Sequence, residues 1–250
     1  LPHADLVYRH IGAGALLRSR AALYALRSAS ASRFEQRVKQ SPLFIVFEGI
    51  DGSGTTTQSK RLFERLQEGG HDVVLTREPG GTPLAERIRD LVLDPDAGDV
   101  DHRTELLLYG ASRRQHVTEL IAPSLALGKP VISDRYAAST VAYQGIGRGL
   151  GVDLANAVND IAVANTTPDL TICLDVPVDV SLQRRHRRGG PQDRLEKAGS
   201  PLQQAVRQAF LDMSIASQDW FLIDAATTTD AIHDKIWTHL HERFVAFPFR

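Results

Sequence analysis

From Leu43 onward, short apolar runs alternate with stretches of helical periodicity. Leu43–Glu48 is apolar up to its last residue, the pattern of a parallel strand buried on both faces. Thr56–Glu68 has helical spacing and stops at Gly69-Gly70, a helix-end signal. A second strand is predicted over Asp72–Thr76, a helix over Pro83–Leu93 and a polar loop over Asp94–Asp101. Arg103–Leu127 reads as one long amphipathic helix ending at Gly128. Further strands are predicted at Pro130–Ser133, Leu170–Val176 and Trp220–Ile223, and a closing helix at Ala231–Phe244. Alternation of this kind predicts an α/β fold, a five-stranded parallel sheet flanked by helices. Ligands of such sheets gather at the C-terminal ends of the strands.

Composition narrows the function classes. The 250 residues suffice for one α/β domain with a modest extension. A formal net charge of −1 gives no global reason to expect a nucleic-acid or membrane-surface partner, so any phosphate site must come from local arrangement. No apolar run approaches the roughly 18–20 residues that span a bilayer. The one cysteine, Cys173, excludes an intrachain disulfide, fits a reducing, cytoplasmic setting, and reads as a small buried hydrophobe in a strand. The nine histidines show no metal-ligand spacing. Residues 1–41 differ from the rest, being rich in Ala, Ser and Arg with only Asp5 and Glu35 as acids. They are expected to be a basic leader, peripheral or disordered. An organelle transit peptide and a stretch upstream of the true start remain as alternatives. Residues 42–250 carry the domain.

Chemistry concentrates at the predicted strand ends. Gly49-Ile50-Asp51-Gly52-Ser53-Gly54-Thr55-Thr56-Thr57 joins the first strand to the first helix in the frame of a P-loop. There the backbone N–H groups and the helix dipole surround an anion, ATP being the expected one. Thr56 takes the position whose hydroxyl ligates Mg²⁺. A tight strand-to-helix turn is the plainer alternative. Thr55 stands where the phosphate-binding lysine of this frame belongs, a loss of about 1.5–3 kcal/mol if nothing replaces it. Ser181–Glu196 offers a replacement, with five arginines around Gly189-Gly190-Pro191. It reads as an arginine lid, about 184–199, whose Arg184, Arg185, Arg188 and Arg194 close over ATP. A solvated basic helix is the alternative reading of that segment.

Several segments, in order, resemble the thymidylate kinase family over roughly Leu43 to Phe244. They are Phe47-Glu-Gly-Ile-Asp-Gly52, Thr76-Arg-Glu-Pro-Gly-Gly-Thr82, Tyr109-Gly-Ala-Ser-Arg-Arg-Gln-His116, Ser133-Asp-Arg-Tyr136, Ala142-Tyr-Gln-Gly145 and Asp193-Arg-Leu-Glu196. The arginine-bearing lid resembles the bacterial subgroup. The resemblance implies a nucleoside monophosphate kinase of P-loop fold that phosphorylates dTMP to dTDP with ATP and Mg²⁺. It implies a homodimer, and neither nucleic acid nor membrane as partner.

The resemblance also assigns roles. It sets Asp51 near the acceptor phosphate and metal, Arg77 and Arg135 on the dTMP phosphate, and Pro79 in the turn that faces them to the cleft. Tyr109 is matched to the aromatic that stacks on thymine and Arg113 to the arginine that contacts the base or its phosphate neighbourhood. Thr140 and Gln144 are candidates for the pyrimidine edge, and Tyr143 for crowding out a ribose 2′-hydroxyl. Asp134 and Glu78 are candidates beside Mg²⁺. Asp51, Arg135, Arg188 and Arg194 would then do the catalytic work. Because of Thr55, two other readings stay open: a nucleotide-binding pseudokinase, and a kinase for another nucleotide.

Overall fold

Phe44–Gly49 forms strand β1, and all six of its residues are buried, as a continuous apolar run demands of a central strand. The computed structural model describes residues 42–189 and 199–249, which belong to one compact unit, Ser41–Arg250. The expected leader, the middle of the expected lid and Arg194 lie outside the described residues. Five parallel strands run β2 (Val74–Arg77), β3 (Val131–Asp134), β1, β4 (Leu170–Asp175) and β5 (Trp220–Asp224) across the sheet.

β1 alternates between two apolar layers. Ile45 and Phe47 pack with Leu62 and Leu66 of helix α1 (Thr55–Glu68) and with Ile236 and Leu240 of the C-terminal helix. Phe44 and Val46 pack with Val117, Ile121 and Tyr136. Between α1 and the C-terminal helix lie α2 (Pro83–Leu93), α3 (His102–His116), α4 (Ala122–Ala126), α5 (Ala137–Thr140), α6 (Val152–Val163), α7 (Val178–Arg188) and α8 (Ser200–Ala216). The C-terminal helix, α9, spans Thr229–Arg243.

Three strands run a residue further toward the cleft than the apolar pattern predicts, to Arg77, Asp134 and Asp224. Their backbones still pair there: Arg77 is in register with Asp134, and Phe47 with Asp134. Hydropathy stops a strand where the side chain turns polar, whereas the ladder stops where the backbone does. β2 also starts later than expected, at Val74, whose N–H is the first to reach Pro130 O; Asp72 is turned out to an ion pair with Lys129.

The predicted long helix is present but not uniform. Asp101 caps α3 by accepting from the N–H groups of Arg103 and Thr104. After His116 the chain widens into a π-helical segment, Val117–Ile121, before α4. A second π-helical segment, Val141–Gly147, follows α5 and carries Tyr143 and Gln144, two of the sequence-predicted site residues. Such wide turns concentrate at functional sites. Among the described residues no helix is long and apolar enough to cross a membrane. Cys173 is buried, as expected, and burial pushes its thiol up to about 12, far from a reactive thiolate.

Candidate active site

A cavity of about 820 Å³ opens where the strands end. The phosphate loop forms its floor. Gly52 and Gly54 both take positive φ, 80° and 105°, and so curl the chain into the start of α1. Gly52 also has no room for a side chain, since a Cβ would stand 2.9 Å from Ser181 O. Ser181 Oγ donates to Asp51 O at 2.5 Å, and Arg184 donates to Ser53 O and Ala225 O at 3.3 and 2.8 Å. α7 therefore braces the loop from outside. Ser53 Oγ is buried and unpartnered among the described residues.

Arg185 differs from Arg184. It is buried, lines the cavity, and its Cγ is close to where a Gly52 side chain would begin. Its Nε and Nη1 have no partner among the described residues. A buried guanidinium with unmet donors next to the phosphate loop suits oxyanion oxygens. Arg188, in the exposed last turn of α7, lines the same cavity.

On the other side of the loop, Asp51 is held by three donors: Arg135 Nη2 at 3.1 Å, the Tyr143 hydroxyl at 3.2 Å and Gln203 Nε2 at 3.1 Å. Arg135 reaches Asp51 because its backbone is left-handed, φ 78°, a conformation costly for a non-glycine residue. Arg135 N–H to Phe47 O and the Ser133 hydroxyl to Arg135 O hold it there. Beneath it, Glu48 is fully buried and receives Tyr136 N, Ser139 N and the Ser139 hydroxyl. Burial outweighs those donors and Arg135, and raises the Glu48 carboxyl to about 7.

Arg113 is the centre of the second arm. Nearly fully buried, it donates to Glu78 Oε2 at 2.7 Å, Thr140 Oγ1 at 2.8 Å, Asn159 Oδ1 at 2.7 Å and Tyr136 O at 2.9 Å. His116 Nδ1 donates to the other Glu78 oxygen at 3.0 Å, while its Nε2 is hydrogen-bonded to the Thr76 hydroxyl at 2.7 Å. Both oxygens of Glu78 are thus engaged by buried cations or rings, so the expectation that Glu78 attends a metal or water meets an occupied carboxylate. Its visible work is to fix Arg113. Tyr109, one turn earlier on α3, lines the cavity with Arg113, as their spacing predicts.

The remaining metal candidates fit better. Thr56 Oγ1 donates to Asp134 Oδ2 at 2.5 Å, and Asp134 Oδ1 is buried and unpartnered among the described residues. Among the described residues there is no cluster of three or more potential ligands. One hydroxyl and one carboxylate suit Mg²⁺, which keeps waters and takes oxygens from bound phosphates.

Of the sequence-predicted residues, Asp51–Thr57, Arg77, Glu78, Pro79, Tyr109, Arg113, Asp134, Arg135, Thr140, Tyr143, Gln144, Arg184, Arg185 and Arg188 line this one cavity. Gly49 ends β1, where a Cβ would collide with Leu174 O at 2.5 Å, and Ile50 is in the core. Arg77 stands at the rim, tied to Glu86 at 2.9 Å. Sequence reasoning missed Gln203, Asn159 and Ser139, which position other residues from distant elements and carry no motif. It also missed Gln58, Thr227, Thr229 and Ile232, which line the cavity too.

A parallel sheet in the order β2-β3-β1-β4-β5, a phosphate loop after its central strand and a walled second arm define a nucleoside monophosphate kinase of P-loop fold. A sequence model of the family described as thymidylate kinase matches residues 47–236. The thymidylate kinase of Syntrophotalea carbinolica is 46% identical, covering 78% of this chain and 93% of its own. That of Deinococcus radiodurans is 47% identical, covering 80% and 97%. The crystal structure of thymidylate kinase from Ehrlichia chaffeensis aligns with a TM-score of 0.65 at 36% identity, over 80% of this chain and 99% of that one. The chain belongs to the thymidylate kinase family.

Proposed function

We propose that the protein transfers the γ-phosphate of ATP to the phosphate of dTMP. The observation that carries this reading is that one cavity is lined both by the phosphate loop and by the side chains expected to meet a pyrimidine nucleotide. Tyr109, Arg113, Thr140, Tyr143 and Gln144 offer an aromatic face and fixed polar groups suited to a pyrimidine. Gln58, Thr227, Thr229 and Ile232 are left for the base of ATP.

Phosphoryl transfer asks the protein mainly for alignment and charge neutralisation. The N–H groups from Gly52 to Thr57 and the α1 dipole cradle the donor phosphates. Thr56 and Asp134 would hold Mg²⁺, which would supply positive charge to the donor phosphates. Arg135, pinned by Asp51, and Arg77, once released from Glu86, aim the acceptor phosphate in line. Arg185 fills the place that Thr55 leaves without a cation, with Arg188 at the mouth. Arg184, bound to two carbonyls, serves as a brace of the loop. Tyr143, anchored to Asp51, would crowd out a 2′-hydroxyl on the sugar of the acceptor.

The family's homodimer is part of the proposal. Leu107 of α3 and Ile161 of α6 are 61% and 76% exposed on helices that pack closely, with Val158 against Gly110. A second copy would cover them. The pseudokinase alternative rests on Thr55 alone.

The test is ADP release by the full chain with ATP and Mg²⁺, offering dTMP, dUMP, ribothymidine monophosphate, AMP and dGMP in turn. Turnover is expected to be strongest with dTMP and weak with its ribose analogue. Binding of both ATP and dTMP without turnover of any acceptor would turn the reading to a pseudokinase.

A further inference from the structure

Gln144 lines the pyrimidine arm from the π-helical segment Val141–Gly147. Its Nε2 donates to Glu105 Oε1 at 2.8 Å. Glu105 is wholly buried in the first turn of α3 and does not line the cavity. It also receives Arg148 Nε on Oε1 and Nη2 on Oε2, both at 3.3 Å. A carboxylate paired with a guanidinium accepts hydrogen bonds and donates none. Only the nitrogen of the Gln144 amide can therefore face it, and Oε1 is the end left for the cavity. Arg113, donor-only, lines the same arm.

Thymine and uracil present a carbonyl acceptor beside an N–H donor on that edge. Cytosine presents an amino donor beside a ring-nitrogen acceptor. A donor-only arginine next to an amide locked oxygen-outward matches the first edge and opposes the second.

We propose that Glu105, braced by Arg148, sets the pyrimidine specificity of the enzyme by locking the Gln144 amide with its oxygen toward the base. Glu105 is a positioning residue, since it does not line the cavity and reaches the base through Gln144. The inference rests on the acceptor site assigned under the proposed function. Specificity here works by repulsion as much as attraction, because a freely rotating amide would accommodate either edge.

The test compares dTMP with 5-methyl-dCMP, which differ only on that edge, in the wild type, E105Q, Q144L and the double variant. E105Q keeps the shape of the side chain but lets both amides rotate. It is expected to lower the ratio of kcat/KM for dTMP over 5-methyl-dCMP about tenfold, the worth of one hydrogen bond. The change should appear mainly in KM for the monophosphate, with KM for ATP unmoved. The double variant should discriminate no worse than Q144L alone, because Glu105 then has nothing to orient. Should E105Q fail to fold with Arg148 still charged, the pair E105Q/R148Q removes both charges together and carries the same expectation. Equal losses for both nucleotides, or additive losses in the double variant, would overturn the proposal. So would a Q144L enzyme with the wild-type ratio, although dTMP turnover would then still stand. A wild type unable to phosphorylate dTMP would remove the functional reading together with the inference.

Discussion

Glu48 shows how one buried side chain ties the site to the stability of the whole sheet. Its carboxyl is raised from 4.5 to about 7, chiefly by burial. A group raised on folding contributes fully below its unfolded value, and that contribution is lost as pH climbs through the folded value. At pH above 7 the loss is on the order of 3 kcal/mol, from about 1.4 kcal/mol per unit. Glu48→Gln should therefore gain stability relative to the wild type steadily between pH 5 and 8. Urea midpoints across that range check this, and a flat difference would refute it. Arg185 and Thr55 make the second residue-scale case. Removing one charge-stabilising donor of this kind commonly costs 10²–10³ in kcat. Arg185→Ala is expected in that range, whereas Thr55→Lys should shift kcat by no more than about tenfold, because the cation is already supplied. Single-turnover rates with dTMP decide between the two. A severe effect of the lysine and none of the alanine would reverse the division of labour.

At the scale of elements, the link from β2 to α2 acts as a clamp on α3. Gly80 N–H reaches Ser112 Oγ at 3.2 Å, Gly81 N–H reaches Glu86 Oε1 at 2.7 Å, and His116 spans Thr76 and Glu78. Gly81 has φ 90°, and a Cβ there would lie 2.5 Å from His116 Nε2 and 2.6 Å from Thr76 Oγ1. Gly81→Ala must strain the backbone and push the ring off Glu78, which in turn holds Arg113. A destabilisation of about 1–3 kcal/mol is expected. A higher KM for dTMP with an unchanged KM for ATP should accompany it, as thermal melts and initial rates can show. The alternation of strand and helix along the chain could be read almost to the residue for β1 and α2. The strand ends were less legible, because Arg77, Asp134 and Asp224 are polar yet remain paired through their backbones. The π-helical segments left no trace in the periodicity, since a single widened turn barely shifts which face is apolar.

For the whole molecule, the exposed apolar side chains of α3 and α6 set the prediction. Ile161→Glu puts a charge on the surface expected to meet a second copy. Sedimentation should find the wild type as a dimer and this variant as a monomer at the same concentration, with the fold intact by circular dichroism. A monomeric wild type would sink the dimer. The motifs that lie on strand ends and in the phosphate loop were legible because turn geometry and ligand chemistry restrict residue type locally. Asp51, Asp134 and Arg135 stand in one cavity on those grounds. Glu78 was visible as a site residue but not in its work, since nothing in Arg77-Glu78-Pro79 says that Arg113 and His116, more than thirty residues away, will take both oxygens.

What the amino-acid sequence determined by itself was the five strands and the helices flanking the first of them, the P-loop frame with its missing lysine, and the side chains able to meet a nucleotide. Those follow from local rules: the period of apolar positions, the φ angles only glycine tolerates, and the few residue types that bind phosphate. The tertiary structure alone decided which arginine faces the phosphate loop and which is a brace. Arg184 and Arg185 are neighbours of identical chemistry, yet one is consumed by Ser53 O and Ala225 O while the other, among the described residues, keeps unmet donors beside Gly52. It also decided that Glu105 and Gln203, which belong to no motif, orient Gln144 and Asp51. Buried hydrogen bonds between distant elements depend on how the layers pack, and no local period records them.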